Sequence, residues 1–422
     1  MNFQDISNTP NSILQGILKV ESRKTTVSKR ETKKRLLNKI KTPSVPLKNL
    51  SLSEIKKSSD KKLYTVVSLF SGAGGSSTGY KMSGGDIRLV SDFQETCIKN
   101  YLHNYPNTPY ICSDIRNLTG NKILASIEMK PRELDILDGS PPCPPFSMSG
   151  LKQKGWNKTK TVYGKLQTNI EDLTFDFINI AKIIQPKVIV CENVKGLTMA
   201  PVKRHFEKML NGFQGNGYQT IYKVFNSVDY GVPQKRERVF IISIRDDVLE
   251  KLGHQITGLI FPTFHSRIFP EPLTDTYTLR DAIFYLLKDK KNMDESRVLE
   301  NFLKSQSKYD LVKKLPKNPI AYQSVGDVSP NGSLFQTRRV PWDEPSHCLL
   351  EKGLETTFFS HLHPELDRGF TTYEAMRIMG LPKNYELVGT LDEKLGMIGL
   401  MVAPPQMFHI SKTIYENILK LL

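Results

Sequence analysis

From residue 64 onward the chain carries a series of continuous apolar runs, each closed by small, acidic or basic residues. Tyr64-Thr65-Val66-Val67-Ser68-Leu69-Phe70, Ile87 to Phe93, Tyr110-Ile111-Cys112, Leu134-Asp135-Ile136-Leu137, Pro186 to Cys191, Tyr218 to Val224 and Val239-Phe240-Ile241-Ile242 read as strands. Their β-branched content and weak alternation suit a sheet buried on both faces. Ser76 to Met82, about Glu171 to Ile184, and a last segment from about Phe408 to Leu422 read as helices. Strand followed by helix, repeated, predicts an α/β fold with a parallel sheet, and open sheets of this kind place their chemistry at the carboxyl ends of the strands.

The residues at those ends carry the functional signal. After the first run comes Ser71-Gly72-Ala73-Gly74-Gly75, where glycine permits a tight turn and helix amides can face an anionic or polar group. The second run ends in Asp92 and Phe93, about twenty residues beyond the glycines, where an acid can hold ribose hydroxyls. The third ends in Ser113-Asp114-Ile115. Either aspartate alone could be a helix cap; with the glycine loop on the same edge they outline a nucleoside-shaped site. The fourth run leads into Gly139-Ser140-Pro141-Pro142-Cys143-Pro144-Pro145-Phe146-Ser147. Prolines fix φ and remove backbone donors, so Cys143 is displayed from a loop instead of packed in a strand. Glu192-Asn193-Val194 closes the fifth run, and Arg236-Glu237-Arg238 puts two arginines on one side of an extended segment. Residues 148–168 are polar and glycine-dotted, and too long for an ordinary connection, which predicts a functional loop.

Composition adds a partner class. The 59 Lys and Arg against 43 Asp and Glu give a formal charge of +16, which favours a polyanion. Fifteen basic and five acidic residues fall within residues 1–62, predicting a flexible basic arm. No run is long enough for a membrane helix, and no signal-peptide pattern opens the chain. The five cysteines lack C-x-x-C spacing, which argues against metal sites and disulfides and for a reducing, cytoplasmic compartment.

The Phe-x-Gly-x-Gly-Gly loop, Pro-Pro-Cys, Glu-Asn-Val and Gln-x-Arg-x-Arg, in this order, resemble the C5-cytosine DNA methyltransferase family of restriction-modification type. So does Arg368-Gly369-Phe370-Thr371 with Glu374-Ala375, Arg377 and Gly380-Leu381-Pro382. The resemblance covers roughly residues 63–422. It implies a Rossmann-like S-adenosylmethionine-dependent methyltransferase sheet with a smaller target-recognition domain. It implies Cys143 as nucleophile on C6 of a flipped cytosine, Glu192 at the ring N3 and amine, Arg238 at O2, and Arg236 on the active-site loop or a phosphate. For the cofactor it implies Phe70, Ser71, Gly72, Gly74, Gly75, Asp92, Phe93, Asp114, Ile115, Pro142 and Val402, and no metal. Two departures bear on cofactor affinity: Asp92 stands where the family usually has Glu, and Leu400 where it usually has Asn. Glu171-Asp172-Leu173 also replaces the family's usual Asp-x-Arg.

The expected organisation is a basic arm (1–62), a catalytic and cofactor-binding domain (63–283), a target-recognition domain (284–370), and late motifs with a returning C-terminal helix (371–422). Expected partners are double-stranded DNA and a cognate restriction endonuclease; a monomer of prokaryotic or viral origin is expected. An amino-methyltransferase would stack the base on an aromatic where Cys143 stands. An RNA cytosine methyltransferase and a catalytically silent DNA-binding relative remain open as alternatives.

Overall fold

A computed structural model describes residues 50–142, 172–199, 202–253, 267–306, 309–324, 327, 337–350 and 361–422, together with the backbone of 160–162 and 165–167. In chain order the first half comprises α1 (Leu52–Ser59), β1 (Tyr64–Leu69), α2 (Gly75–Met82), β2 (Gly85–Asp92), α3 (Glu95–Asn104), β3 (Tyr110–Cys112), α4 (Gly120–Ser126) and β4 (Ile136–Gly139). A short hairpin, β5 (Lys160–Val162) and β6 (Lys165–Gln167), precedes α5 (Leu173–Ile184), β7 (Val188–Val194), α6 (Lys203–Gln214), β8 (Tyr218–Asn226), β9 (Gln234–Lys235), β10 (Glu237–Arg245) and α7 (Asp246–Lys251). The remainder holds α8 (Leu279–Ile283), α9 (Lys290–Lys304), α10 (Tyr309–Lys313), the two-residue strands β11 (Gln323–Ser324), β12 (Arg338–Arg339), β13 (Ser346–His347) and β14 (His361–Leu362), then α11 (Thr372–Ile378), α12 (Leu391–Leu400) and α13 (Pro404–Asn417).

Seven strands form the central sheet in the order β3-β2-β1-β4-β7-β10-β8. Strand order reverses between β1 and β4, which creates the crevice where such sheets bind ligands. Pairing is parallel from β3 through β7, while β10 runs antiparallel to both β7 and β8. That reversal matters for chemistry: Arg238, at the start of β10, pairs with Val194, at the carboxyl end of β7.

The near-continuous apolar runs are explained by two cores, one on each face. Val66, Val188, Val190, Phe240 and Ile242 point to one; Val67, Ile189, Cys191, Val239 and Ile241 point to the other. Successive side chains of a strand face opposite ways, so burial on both sides demands apolar residues at nearly every position. The first core also takes in Val340, Trp342 and Phe370 from the second half and Met407, Ile410 and Ile414 from α13. Leu303, Val312, Leu315 and Leu362 make a smaller satellite cluster. The last helix starts at Pro404, four residues earlier than expected, with proline in its first turn where the missing N–H carries no penalty. Among the described residues no helix is long and apolar enough to cross a membrane.

One expectation is corrected at the start of the described chain. Residues 1–49 lie outside the described residues, but 50–62 are not a flexible arm. Ser51 and Glu54 form a capping box on α1, which buries Leu52 and Ile55. Ile55 packs with Met82 and Phe408, and Ser58 and Ser59 donate to the carbonyls of Met82 and Gly85. Lys56, Lys57, Lys61 and Lys62 are simply the solvated side of this turn of structure.

Candidate active site

The loop after β1 is shaped by backbone conformations that favour glycine. Gly72 and Gly74 have φ of +53° and +94°, and Phe70 adopts +56°. A Cβ on Gly75 would sit 2.4 Å from the Val402 carbonyl, and one on Gly74 would sit 2.9 Å from the Tyr385 hydroxyl, so neither position tolerates a side chain. At Gly72 the same test finds open space. Its N–H donates to Asp92 Oδ2 at 2.9 Å, and the Gln94 N–H donates to Oδ1 at 2.9 Å. Burial raises the Asp92 carboxyl, partly offset by these amides. Phe93 is half-buried beside it, and Ser71 Oγ is buried with no hydrogen-bond partner among the described residues. An orphaned hydroxyl, a carboxylate and the amides opening α2 fit the polar ends of an adenosyl amino acid.

Asp114 is held differently. It caps the short turn Ile115–Asn117 through the Arg116 N–H, and Arg116 Nε and Nη2 grip its two oxygens at 2.9 and 2.6 Å. Arg116 holds its carboxyl below the usual range. Ile115 is buried, Pro142 half-buried, and Val402 buried against Gly75.

At the centre of the edge, β7 delivers Glu192 and β10 delivers Arg238, with Nε 3.1 Å from Glu192 Oε1. Burial raises the Glu192 carboxyl, while Arg238 and Arg236 pull it down. Arg236 is 1% exposed, and its guanidinium donates to the carbonyls of Leu349, Gly399 and Met401 and toward Cys348 Sγ. A phosphate cannot reach a group so enclosed, which corrects the expectation of a phosphate contact: Arg236 braces the pocket by joining the start of β10 to two late segments. Cys143 lies outside the described residues. The chain leading to it is anchored, since Asn193 Nδ2 donates to the Pro141 carbonyl at 3.1 Å and Ser140 Oγ to the Phe70 carbonyl at 3.3 Å.

Three residues of this region escaped sequence reasoning. Asn193 was legible only as the middle of Glu-Asn-Val. Cys348 reaches the pocket because β13 pairs with β9 and Leu349 N–H bonds to Gln234 Oε1. Burial pushes its thiol up, yet Arg236 and Arg238 outweigh this and leave it below its ordinary value. Asp138, inside the β4 run, is 3% exposed and ringed by hydroxyls. A polar residue inside an apolar strand was the available signal. Leu400 is 42% exposed at the end of α12, between the carbonyls that Arg236 holds.

Comparison with known proteins bears on the family and the fold. The type II methyltransferase M.PspPI of Psychrobacter sp. is 28% identical over 366 residues, covering 83% of this chain and 79% of that protein. The type II methyltransferase M.Eco47II of Escherichia coli is 27% identical over 372 residues, covering 83% and 79%. A crystal structure of a prophage-encoded E. coli protein, described as a DNA modification methyltransferase, superposes with a TM-score of 0.61 at 21% identity over 85% of this chain and 99% of the other, which bears on the fold. The family model for C-5 cytosine-specific DNA methylases matches residues 64–416, and the chain belongs to that family.

Proposed function

We propose that this DNA cytosine-5-methyltransferase uses Cys143 as its nucleophile and Glu192 with Arg238 to hold the flipped base. The observation that carries the reading is the Glu192–Arg238 pair at 3.1 Å, set beside the anchored chain that leads into Cys143. C5 of cytosine is a weak nucleophile. Addition of the Cys143 thiolate to C6 gives the ring enamine character at C5. A carboxyl whose proton affinity is raised by burial suits donation to N3 as the ring accepts the thiolate's electrons. Arg238 would then hold O2 while pairing with Glu192. Arg236 acts through its neighbours, keeping the β10 start in register with residues 349 and 399–401.

S-adenosylmethionine, when bound, supplies an electrophilic methyl group. Phe70, Ser71, Gly72, Gly74, Gly75, Asp92, Phe93, Asp114, Ile115, Pro142 and Val402 are the residues that would hold it. Loss of the C5 proton followed by release of Cys143 restores the ring. The matched family model, C-5 cytosine-specific DNA methylase, supports DNA over RNA as substrate, the +16 charge suits a polyanion of either kind, and residues 284–370 are the segment proposed to read the sequence of the duplex. Protection against a partner endonuclease is the corresponding biological role.

The test is a DNA duplex with 5-fluorocytosine at the target, since fluorine cannot leave as the proton does. With S-adenosylmethionine present, wild type should form an adduct that survives denaturing electrophoresis. Cys143→Ala should form none and lose turnover while keeping DNA binding. Turnover in Cys143→Ala would exclude the mechanism; an inactive wild type that binds DNA normally would favour a silent relative.

A further inference from the structure

One carboxylate at the middle of the sheet has no part in the chemistry above. Asp138 pairs in register with Ser68 of β1 and Val190 of β7. Ser68 Oγ and Ser76 Oγ both donate to its Oδ2 at 2.7 Å, and the Tyr80 hydroxyl donates to Oδ1 at 3.2 Å. All four side chains are buried. Every described partner is a neutral hydroxyl, so among the described residues no cation compensates its charge. If the cluster served only to tie β1, β4 and α2 together, a neutral amide would do so without the several kcal/mol that burying an unpaired charge costs. Its position suggests what the charge is for. Ser76 is the second residue of α2, directly after the loop Ser71–Gly75, and Ser68 and Asp138 each lie one residue from the end of their strands at the crevice edge.

We propose that Asp138 selects the charge state of the cofactor, favouring cationic S-adenosylmethionine over the neutral thioether S-adenosylhomocysteine that remains after methyl transfer. The inference rests on the cofactor reading given above. The two molecules share adenosine and amino-acid ends, so hydrogen bonds from Asp92, Ser71 and the loop amides treat them alike. Only the sulfur differs, by one positive charge and one methyl group. A fixed negative charge behind the loop acts on that difference and lowers the affinity for product relative to substrate.

Among the described residues the titratable groups facing Asp138 are few. From α2 comes Tyr80, whose phenol is pushed well up by burial; from β7 come Glu192 and Cys191; Tyr64 of β1 lies beyond Tyr80. Burial raises the Asp138 carboxyl to about 6, with the three hydroxyls opposing. The charge is therefore present at pH 7 and fades as pH falls through that value. Asp92 is also raised by burial, but it faces the part common to both ligands and cancels in their ratio.

The test is calorimetric titration of wild type and Asp138→Asn with each ligand at pH 7 and pH 5.5. Wild type should favour S-adenosylmethionine by about three- to tenfold more than Asp138→Asn does at pH 7, the range expected for one partly screened charge. Much of that extra preference should disappear in wild type at pH 5.5, while the Asp138→Asn ratio stays level. Equal weakening of both ligands by Asp138→Asn would overturn the proposal and leave Asp138 as a loop tie. If that variant does not fold, the wild-type ratio across pH 5 to 7 decides alone: a flat ratio overturns it. Ser68→Ala, which removes a donor to the charged form, should move the midpoint upward, and an unmoved midpoint counts against the proposal. Failure of wild type to bind S-adenosylmethionine at all would instead overturn the cofactor reading.

Discussion

Two arginine–glutamate pairs, one fully buried and one at the edge of the sheet, serve opposite ends in this molecule. In the second half, Arg368 and Glu374 are fully buried and doubly bonded at 2.7 and 2.8 Å. Asn292 Nδ2 and the Thr371 N–H fill the remaining acceptor positions of Glu374, and Arg368 Nε donates to Ser296 Oγ. Burial alone would raise Glu374, yet Arg368, His363 and these hydrogen bonds hold it at about 2. At the sheet edge, Glu192 has, among the described residues, one ion pair at 3.1 Å, slightly more exposure, and a carboxyl that burial raises. Similar residues at similar depth thus differ in proton affinity because of donor count. Saturation locks a carboxylate as an anion; leaving it underbonded keeps it able to take and give a proton.

The comparison breaks if the two glutamates respond alike to loss of charge. Glu192→Gln should lower kcat/KM by about 10²–10⁴-fold, the usual range for a positioned acid, with little change in melting temperature. Because Glu192 titrates above its ordinary value, its charge opposes folding at neutral pH, so the amide should be neutral or slightly stabilising. Glu374→Gln should do the reverse. It should lose about 3–5 kcal/mol of unfolding free energy in urea, because Arg368 is left buried and unpaired, while turnover per folded molecule stays near wild type.

The pH dependence sharpens the contrast. Glu374 titrates at about 2 against an ordinary 4.5, so its stabilisation is complete above 4.5 and fades as pH falls toward 2. The stability gap between wild type and Glu374→Gln should narrow across that window in urea titrations. The smallest effect concerns Leu400, exposed beside the carbonyls that Arg236 braces. Leu400→Asn should tighten S-adenosylmethionine binding about two- to tenfold, the worth of one hydrogen bond, as read by calorimetry on folded protein.

The central sheet was legible because strands buried on both faces are apolar at most positions, so β1, β2, β7 and β10 announce themselves. What turned around was harder to see. Nothing in Val239-Phe240-Ile241-Ile242 says that β10 runs against its neighbours, and that direction is what brings Arg238 to Glu192. Spacing put Arg236 and Arg238 on one side, but the acceptors of Arg236 lie at Leu349, Gly399 and Met401, far along the chain. Helix α1 hid behind its lysines, although Ser51 and Glu54 spelled its cap. Asp138 hid directly behind the run Leu134–Leu137, within the strand that the run opens, where contact with Ser68, Ser76 and Tyr80 explains it.

The contact between the Val402 carbonyl and Gly75 also sets a timetable for synthesis. The glycine loop emerges from the ribosome early, but the wall it leans on is made 327 residues later, and Gly79 waits for Met407 and Pro404 in the same way. At about 5–20 residues per second the loop spends roughly 15–65 s without that wall. A nascent chain would therefore contain Glu192 and Cys143 well before the wall of the glycine loop is made, and on the proposed function methylation would begin only after α13 has been added.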